Sequence, residues 1–259
     1  MNASSKPAQY PAPTGAYKVF VKDKGLWQAH TTARLHISVG NPKHDGEKFY
    51  ALTEWAAARF DHVTLIVSDT LQRHNIALTS GIDEDIAHII SRKQGDLWLA
   101  RNQRAIQNLP HVTITRWDQW LNHPDYVETY NALFALYRNE PTVRQAITQK
   151  AEGFNTRHAS DNDLQQASSA QIINTSIHYI LEEVAAFAIM FADDESINIY
   201  PGDWFKDIFE TVSDHNNSPL LESLAVTEYL RVDYVRNKSP FAIVGKTGVA
   251  NDSGSIAAE

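Results

Sequence analysis

The chain has 259 residues, 43 % of them apolar and 21 % charged, which fits one fairly large soluble domain able to bury a core with a pocket. It contains no cysteine, which excludes disulfides, thiolate zinc sites and cysteine nucleophiles, and its net charge of −8 argues against non-specific nucleic-acid binding while leaving room for a local basic stripe. No run approaches eighteen uncharged apolar residues and the N-terminus lacks the apolar stretch of a signal peptide, so a cytoplasmic protein without membrane attachment is expected.

In chain order, residues 1–16 are rich in Pro, Ala and Ser and are expected to be disordered. A single domain follows over 17–245, and 246–259 is expected to form a flexible tail. Within the domain, "ARLHISV" (33–39) predicts a strand, 45–60 a helix, "HVTLIVSD" (62–69) a strand, 83–109 a long helix, and "HVTITRW" (111–117) another strand. This alternation predicts a βαβαβ unit with a parallel sheet flanked by helices, an α/β fold. Residues 124–192 read as mostly helical, and "SINIY" (196–200) and "FAIVG" (241–245) add strands.

Ligands of open parallel sheets bind beyond the carboxyl ends of the strands. The first such place is "HISVGNPKHDG", where Ser38 ends a strand and Gly40 and Asn41 begin a turn. A serine there is placed as a nucleophile, and the glycine lets the backbone come close to a substrate. The plain alternative is that all three are turn formers. His36 lies two residues from Ser38, on the same strand face, where it either lines a pocket or packs against a polar neighbour.

"HYILEEVAAFAIMFA" (178–192) is apolar on nearly every side yet carries Glu182 and Glu183. Helical spacing puts Glu182 with His178, toward solvent, and Glu183 with Tyr179, facing inward near Ile180 and Phe187. A buried carboxylate needs a cation or several donors, so Glu183 meets either a substrate ammonium or a buried arginine and backbone amides. On the helix at 83–109, Lys93, Arg101 and Arg104 fall within about 80° of one another with Arg92 to one side, a modest basic stripe or simply a solvated face. "FAIVGKTG" has Pro240 where a P-loop needs its first glycine, which rejects ATP binding there. The histidines show no metal-ligand spacing.

"SVGN", "YILEE" with its Tyr-x-x-x-Glu spacing and "YPGDW", in this order, resemble the cyclodipeptide synthases, and Trp55, Arg59, Phe60 and Asp69 extend the likeness over roughly 33–200. The resemblance implies a Rossmann-like catalytic domain similar to that of class I aminoacyl-tRNA synthetases. It also implies two aminoacyl-tRNAs as substrates, a cyclic dipeptide (2,5-diketopiperazine) as product, a monomer, and neither cofactor nor metal. It assigns Ser38 as the nucleophile that takes the first aminoacyl group, Tyr179 and Glu183 as holders of its amino group with Glu183 relaying a proton, and Tyr200 as an aid to cyclisation. Asn41 would position the acyl chain, and His36, Ile66, Ala186 and Phe187 would shape the pocket. Arg92, Lys93, Arg101 and Arg104 would contact tRNA phosphates. Pro201 after Tyr200 resembles the Tyr-Pro subfamily, which usually varies at the position of Asn41. Two rivals remain from the residues alone: a serine hydrolase, for which no G-x-S-x-G elbow is present, and a non-catalytic tRNA-binding protein.

Overall fold

A computed structural model describes residues 13–22, 25–158, 167–193, 196–202, 204–215 and 218–237. Its centre is a six-stranded sheet built from β1 (Tyr17–Val21), β2 (Thr32–Ser38), β3 (His62–Ser68), β4 (Val112–Arg116), β5 (Ile197–Tyr200) and β6 (Tyr229–Arg236), in the order β1-β6-β5-β2-β3-β4. All neighbours pair in parallel except β1, which lies antiparallel on β6. The register sets Ser38 opposite Ser68 and Ala33 opposite Ile197. The sheet is therefore mixed, with one antiparallel edge strand on an otherwise parallel core.

The chain runs outward from β2 through β3 to β4, then returns to the other side of β2 for β5 and β6. That reversal makes a topological switch point between β2 and β5, the place where open α/β sheets bind ligands. Helix α1 (Gly46–Ala57) joins β2 to β3. A 3₁₀ turn (Thr70–Gln72), α2 (Arg73–Ser80), α3 (Glu84–Arg101) and the short α4 (Gln103–Ile106) join β3 to β4. Then come α5 (Trp117–Leu121), α6 (Tyr126–Asn139), α7 (Pro141–His158) and α8 (Ser169–Asp193), with α9 (Lys206–Asp214) and α10 (Pro219–Val226) between β5 and β6.

Alternation along the strands sorts the core into two layers. Leu35, Ile37, Leu65 and Val67 join Phe49, Leu52, Trp98 and Ile106 of α1, α3 and α4 on one face. Ile66 turns to the other face, where α8 is packed among α5, α6, α7, α9 and α10. By length and composition α8 could cross a membrane, but 72 % of the relevant window is buried inside the fold, as in a core helix.

Two sequence-based expectations change. The helix expected over 83–109 ends at Arg101, because Asn102 leaves helical geometry and its side chain donates to Asp45 Oδ1 (2.7 Å) and to the Trp98 carbonyl (3.0 Å). Strands β1 and β6 were absent from the expected order. The strand expected at 241–245, the tail 246–259 and residues 1–12 lie outside the described residues; in the rest of the N-terminal segment, the Thr14 amide donates to Glu47 Oε1 at 2.7 Å.

The loop after β3 is held firmly. Buried Asp69 forms an ion pair with Arg116, and Thr70 donates to Asp118 at 2.6 Å. Helix α3 comes so close here that a Cβ on Gly95 would stand 2.7 Å from Arg116 Nη2 and from Asp69 Cβ, which explains the glycine. Arg59 lies against the rings of Trp27 and Trp55 and donates to the Trp55 carbonyl at 2.8 Å. Trp55, Arg59, Phe60 and Asp69 are thus scaffold residues outside the cavity described next.

Candidate active site

A cavity of about 800 Å³ opens at the switch point, between the ends of β2 and β5 and the inner faces of α7 and α8. Ser38 stands at its wall as the last residue of β2. The turn behind it needs Gly40 at φ +92°, a conformation costly for residues with a Cβ. Asn41 caps the following 3₁₀ turn, its Oδ1 accepting from the Lys43 amide at 2.9 Å, and it also lines the cavity. Turn former and cavity residue are therefore the same group.

The Ser38 amide donates to His44 Nδ1 at 2.6 Å, and the Ser38 hydroxyl accepts from Gln72 Nε2 at 3.4 Å. The same Gln72 nitrogen lies 3.1 Å from the Tyr179 hydroxyl. Burial, with the neighbouring Glu183 adding to it, pushes the Tyr179 phenol well above its ordinary range. Tyr200, at the end of β5, is pushed up to about 12 by burial and by Glu183, while Asn41 works the other way.

Glu183 is half-buried along the cavity wall. Desolvation, and then the charge of Glu182, raise its carboxyl to about 8, while Lys150 of α7 pulls it down. At neutral pH this side chain is mostly protonated, and a bound ammonium would favour its ionised form.

Glu182 corrects an expectation. It does not pair with His178 toward solvent; it is only 4 % exposed, and His178 is on the surface. Burial alone would raise its pKa, but hydrogen bonds from His74 (3.0 Å) and from Arg73 outweigh that and hold it at about 2. Trp117 Nε1 donates to it as well, at 2.9 Å. The reason is that α2, α5 and α6 pack on the far side of α8 and cover Glu182, while His178, one turn earlier, stays exposed. The buried arginine considered for Glu183 thus belongs to Glu182.

Of the four residues that the resemblance would place around the pocket, the structure sets His36 and Phe187 along the cavity wall. His36 packs against Phe187 and Trp204, its Nε2 bonds Asn198 Oδ1 at 2.8 Å, and desolvation lowers its pKa to about 3, so the ring is neutral. Ile66 and Ala186 do not reach the cavity: both are fully buried in the layer where the sheet packs on α8. Sequence reasoning passed over Gln72, Asn75, Lys150 and Trp204, which also line it. Gln72 had a usable signal, since it follows β3 just as Ser38 ends β2 at the adjacent position in the sheet.

The basic stripe is only partly free. Arg92 pairs with Asp118 at 2.6 Å and Arg101 with Asp45 at 3.2 Å, whereas Lys93 and Arg104 are exposed. Arg104 lies beyond the break at Asn102, so a single helical wheel does not apply to it. Gln94 of α3 lines the cavity, which brings this helix to the site. Among the described residues no cluster of three or more His, Asp or Glu is suited to a metal.

A mainly parallel α/β sheet with a serine, two tyrosines and a carboxyl gathered at its switch point defines a Rossmann-like enzyme. Residues 24–212 match the cyclodipeptide synthase family model, and the chain belongs to this family, whose members make cyclodipeptides by tRNA-dependent peptide-bond formation. Among solved structures it is similar to a cyclodipeptide synthase from Fluoribacter dumoffii, with 23 % identity, a TM-score of 0.74, and coverage of 85 % of this chain and 100 % of the other. It is also similar to a cyclodipeptide synthase from Candidatus Glomeribacter gigasporarum bound to Phe-tRNAPhe, with 16 % identity, a TM-score of 0.61, and 87 % and 93 % covered. A third is a Mycobacterium tuberculosis protein described as relating cyclodipeptide synthetases to type I tRNA synthetases, with 12 % identity, a TM-score of 0.58, and 92 % and 100 % covered. These likenesses establish the shared fold. No curated protein sequence matches the chain significantly.

Proposed function

We propose that the protein joins the aminoacyl groups of two aminoacyl-tRNAs into a cyclic dipeptide through an ester on Ser38. The observation that carries this reading is that Ser38, Tyr179, Glu183 and Tyr200, from three separate elements, line one cavity, whose size suits aminoacyl groups. The relative bound to Phe-tRNAPhe supports aminoacyl-tRNA as the substrate.

In the first step the Ser38 oxygen bonds the aminoacyl carbon, the ester bond to the tRNA ribose breaks, and the serine proton ends on the ribose oxygen. The tRNA ester is already activated, so the transfer is near thermoneutral and requires no nucleotide hydrolysis. Tyr179 and Glu183 hold the amino group of the bound residue. The amine of the second aminoacyl-tRNA then bonds the acyl carbon as its bond to Ser38 breaks, with Glu183 relaying the amine proton to the serine oxygen. In the ring closure that Tyr200 assists, the first residue's amine bonds the second acyl carbon, the remaining tRNA ester breaks, and the proton ends on the ribose oxygen. Tyr200-Pro201 favours the Tyr-Pro subfamily. Lys93 and Arg104, with Arg92 and Arg101 beside them, would meet tRNA phosphates. This reading includes a cytoplasmic monomer, which has aminoacyl-tRNAs at hand. The hydrolase alternative finds no support at Ser38, whose hydroxyl partner among the described residues is Gln72 rather than a histidine.

The test is incubation with aminoacyl-tRNA followed by acid quenching. A mass increase of one aminoacyl residue is expected on the peptide containing "HISVGNPK", and Ser38→Ala should abolish both adduct and cyclic product. Cyclic product from Ser38→Ala at an unaltered rate would replace the ester with direct attack of one aminoacyl-tRNA on the other.

A further inference from the structure

Gln72 ends the 3₁₀ turn after β3, its amide nitrogen bonded to the Asp69 carbonyl at 3.0 Å, in the loop anchored by the Asp69–Arg116 pair. Its side chain reaches across to the neighbouring strand end. There Nε2 faces two hydroxyls, Ser38 at 3.4 Å and Tyr179 at 3.1 Å, while Oε1 accepts from Asn75 Nδ2 at 3.0 Å. A primary amide has two N–H donors, and this geometry spends one on each hydroxyl. Among the described residues the side chain of Gln72 is the donor directed at the serine oxygen.

We infer that Gln72 is a positioning residue for acyl transfer, fixing Ser38 and Tyr179 as hydrogen-bond acceptors, with Asn75 setting the orientation of its amide. The inference rests on the reading of Ser38 as the nucleophile. An oxygen that accepts from Gln72 has its own proton directed elsewhere, toward the substrate. As the Ser38 oxygen bonds the aminoacyl carbon and its proton moves to the departing ribose oxygen, the Gln72 N–H stays in place and exchanges no proton. It stabilises the partial negative charge on the serine oxygen, and the long 3.4 Å contact has room to shorten at that point. Tyr179, accepting in the same way, keeps its O–H free for the carboxyl or carbonyl groups that gather beside it.

The experiment measures the single-turnover rate of adduct formation on Ser38 at saturating aminoacyl-tRNA, together with the concentration giving half that rate. Gln72→Met keeps the length and removes both donors, and Gln72 makes no side-chain cap to α2 that would be lost. Its acylation rate should fall about 10- to 100-fold while the half-saturating concentration stays within about threefold. Asn75→Asp touches neither hydroxyl; its carboxylate would draw the Gln72 N–H groups away from Ser38 and present Oε1 instead. It should slow acylation about tenfold in the unaltered protein and add nothing in the Gln72→Met background. Acylation by folded Gln72→Met at the unaltered rate, or an Asn75→Asp effect of equal size in both backgrounds, overturns the inference alone. Absence of the adduct from the unaltered protein overturns the nucleophile reading and this inference with it.

Discussion

Glu183→Gln tests whether the cavity holds a carboxyl that is protonated until substrate arrives. Its folded pKa of about 8 lies above the ordinary 4.5, so unfolding releases a proton between those pH values. Stability is therefore lost as pH rises through that window, and below it both states are protonated and no penalty remains. At pH 7 the full penalty is about 1.36 × (7 − 4.5), or roughly 3.4 kcal/mol, and water in the open cavity reduces it to about 2 kcal/mol. Glutamine keeps the shape without the titration. The variant should thus be about 2 kcal/mol more stable at pH 7, a rise of roughly 4–8 °C in Tm, with the gap nearly closed at pH 5. Its cyclic product should fall by about 100-fold or more, and the limb of the kcat/KM profile near pH 8 should vanish. Thermal melts at the two pH values and the rate profile provide the check. An equal stability gap at both pH values, or a variant less stable at pH 7, would mean that Glu183 is ionised in the substrate-free protein, held by Lys150, and would refute this reasoning.

Glu182→Gln should behave in the opposite way, costing about 3–5 kcal/mol at pH 7 because Arg73 loses its buried partner. With the Glu182 pKa held at about 2, its contribution is present above the ordinary 4.5 and lost as pH falls toward 2, so the cost should shrink in acid; equal destabilisation at pH 7 and pH 3 in denaturant titrations would refute the ion pair. Replacing Lys93, Arg101 and Arg104 with Ala should weaken activity toward any aminoacyl-tRNA and flatten its salt dependence without changing the product, Arg101 contributing least because Asp45 already neutralises it. An unchanged salt slope in the folded triple variant would remove this surface from tRNA binding.

The parallel core was legible because β3 reads as a nearly unbroken apolar run between helices and β2 alternates Ala33, Leu35 and Ile37 with Arg34 and His36, both short strands set between helical stretches. β6 carried a different signal, the alternation of buried Leu230 and Val232 with exposed Arg231, diluted by Asp233 and a final arginine. The break in the long helix was hidden for another reason: Asn102 ends α3 by bonding Asp45, fifty-seven residues away in sequence, which no local pattern records. Ile66 and Ala186 failed as cavity residues because resemblance matches positions along a chain, whereas access to a cavity depends on what the sheet and α8 cover.

The two adjacent glutamates show where periodicity stops. It separates Glu182 from Glu183 by about 100° and sends them to different places, which is right. It then assumes that one direction must be water, which fails for a helix with the sheet on one side and α2, α5 and α6 on the other. Both directions lead into protein, and the difference lies in what each meets. Glu182 meets Arg73, His74 and Trp117, so its charge is fully partnered and serves the fold. Glu183 meets a cavity, with Lys150 as the modest counterweight to its desolvation. Neighbouring carboxyls drawn down to about 2 and up to about 8 are what the proposed roles require, a structural Glu182 and a proton-relaying Glu183, because environments that drive such values apart separate acid from base assignments.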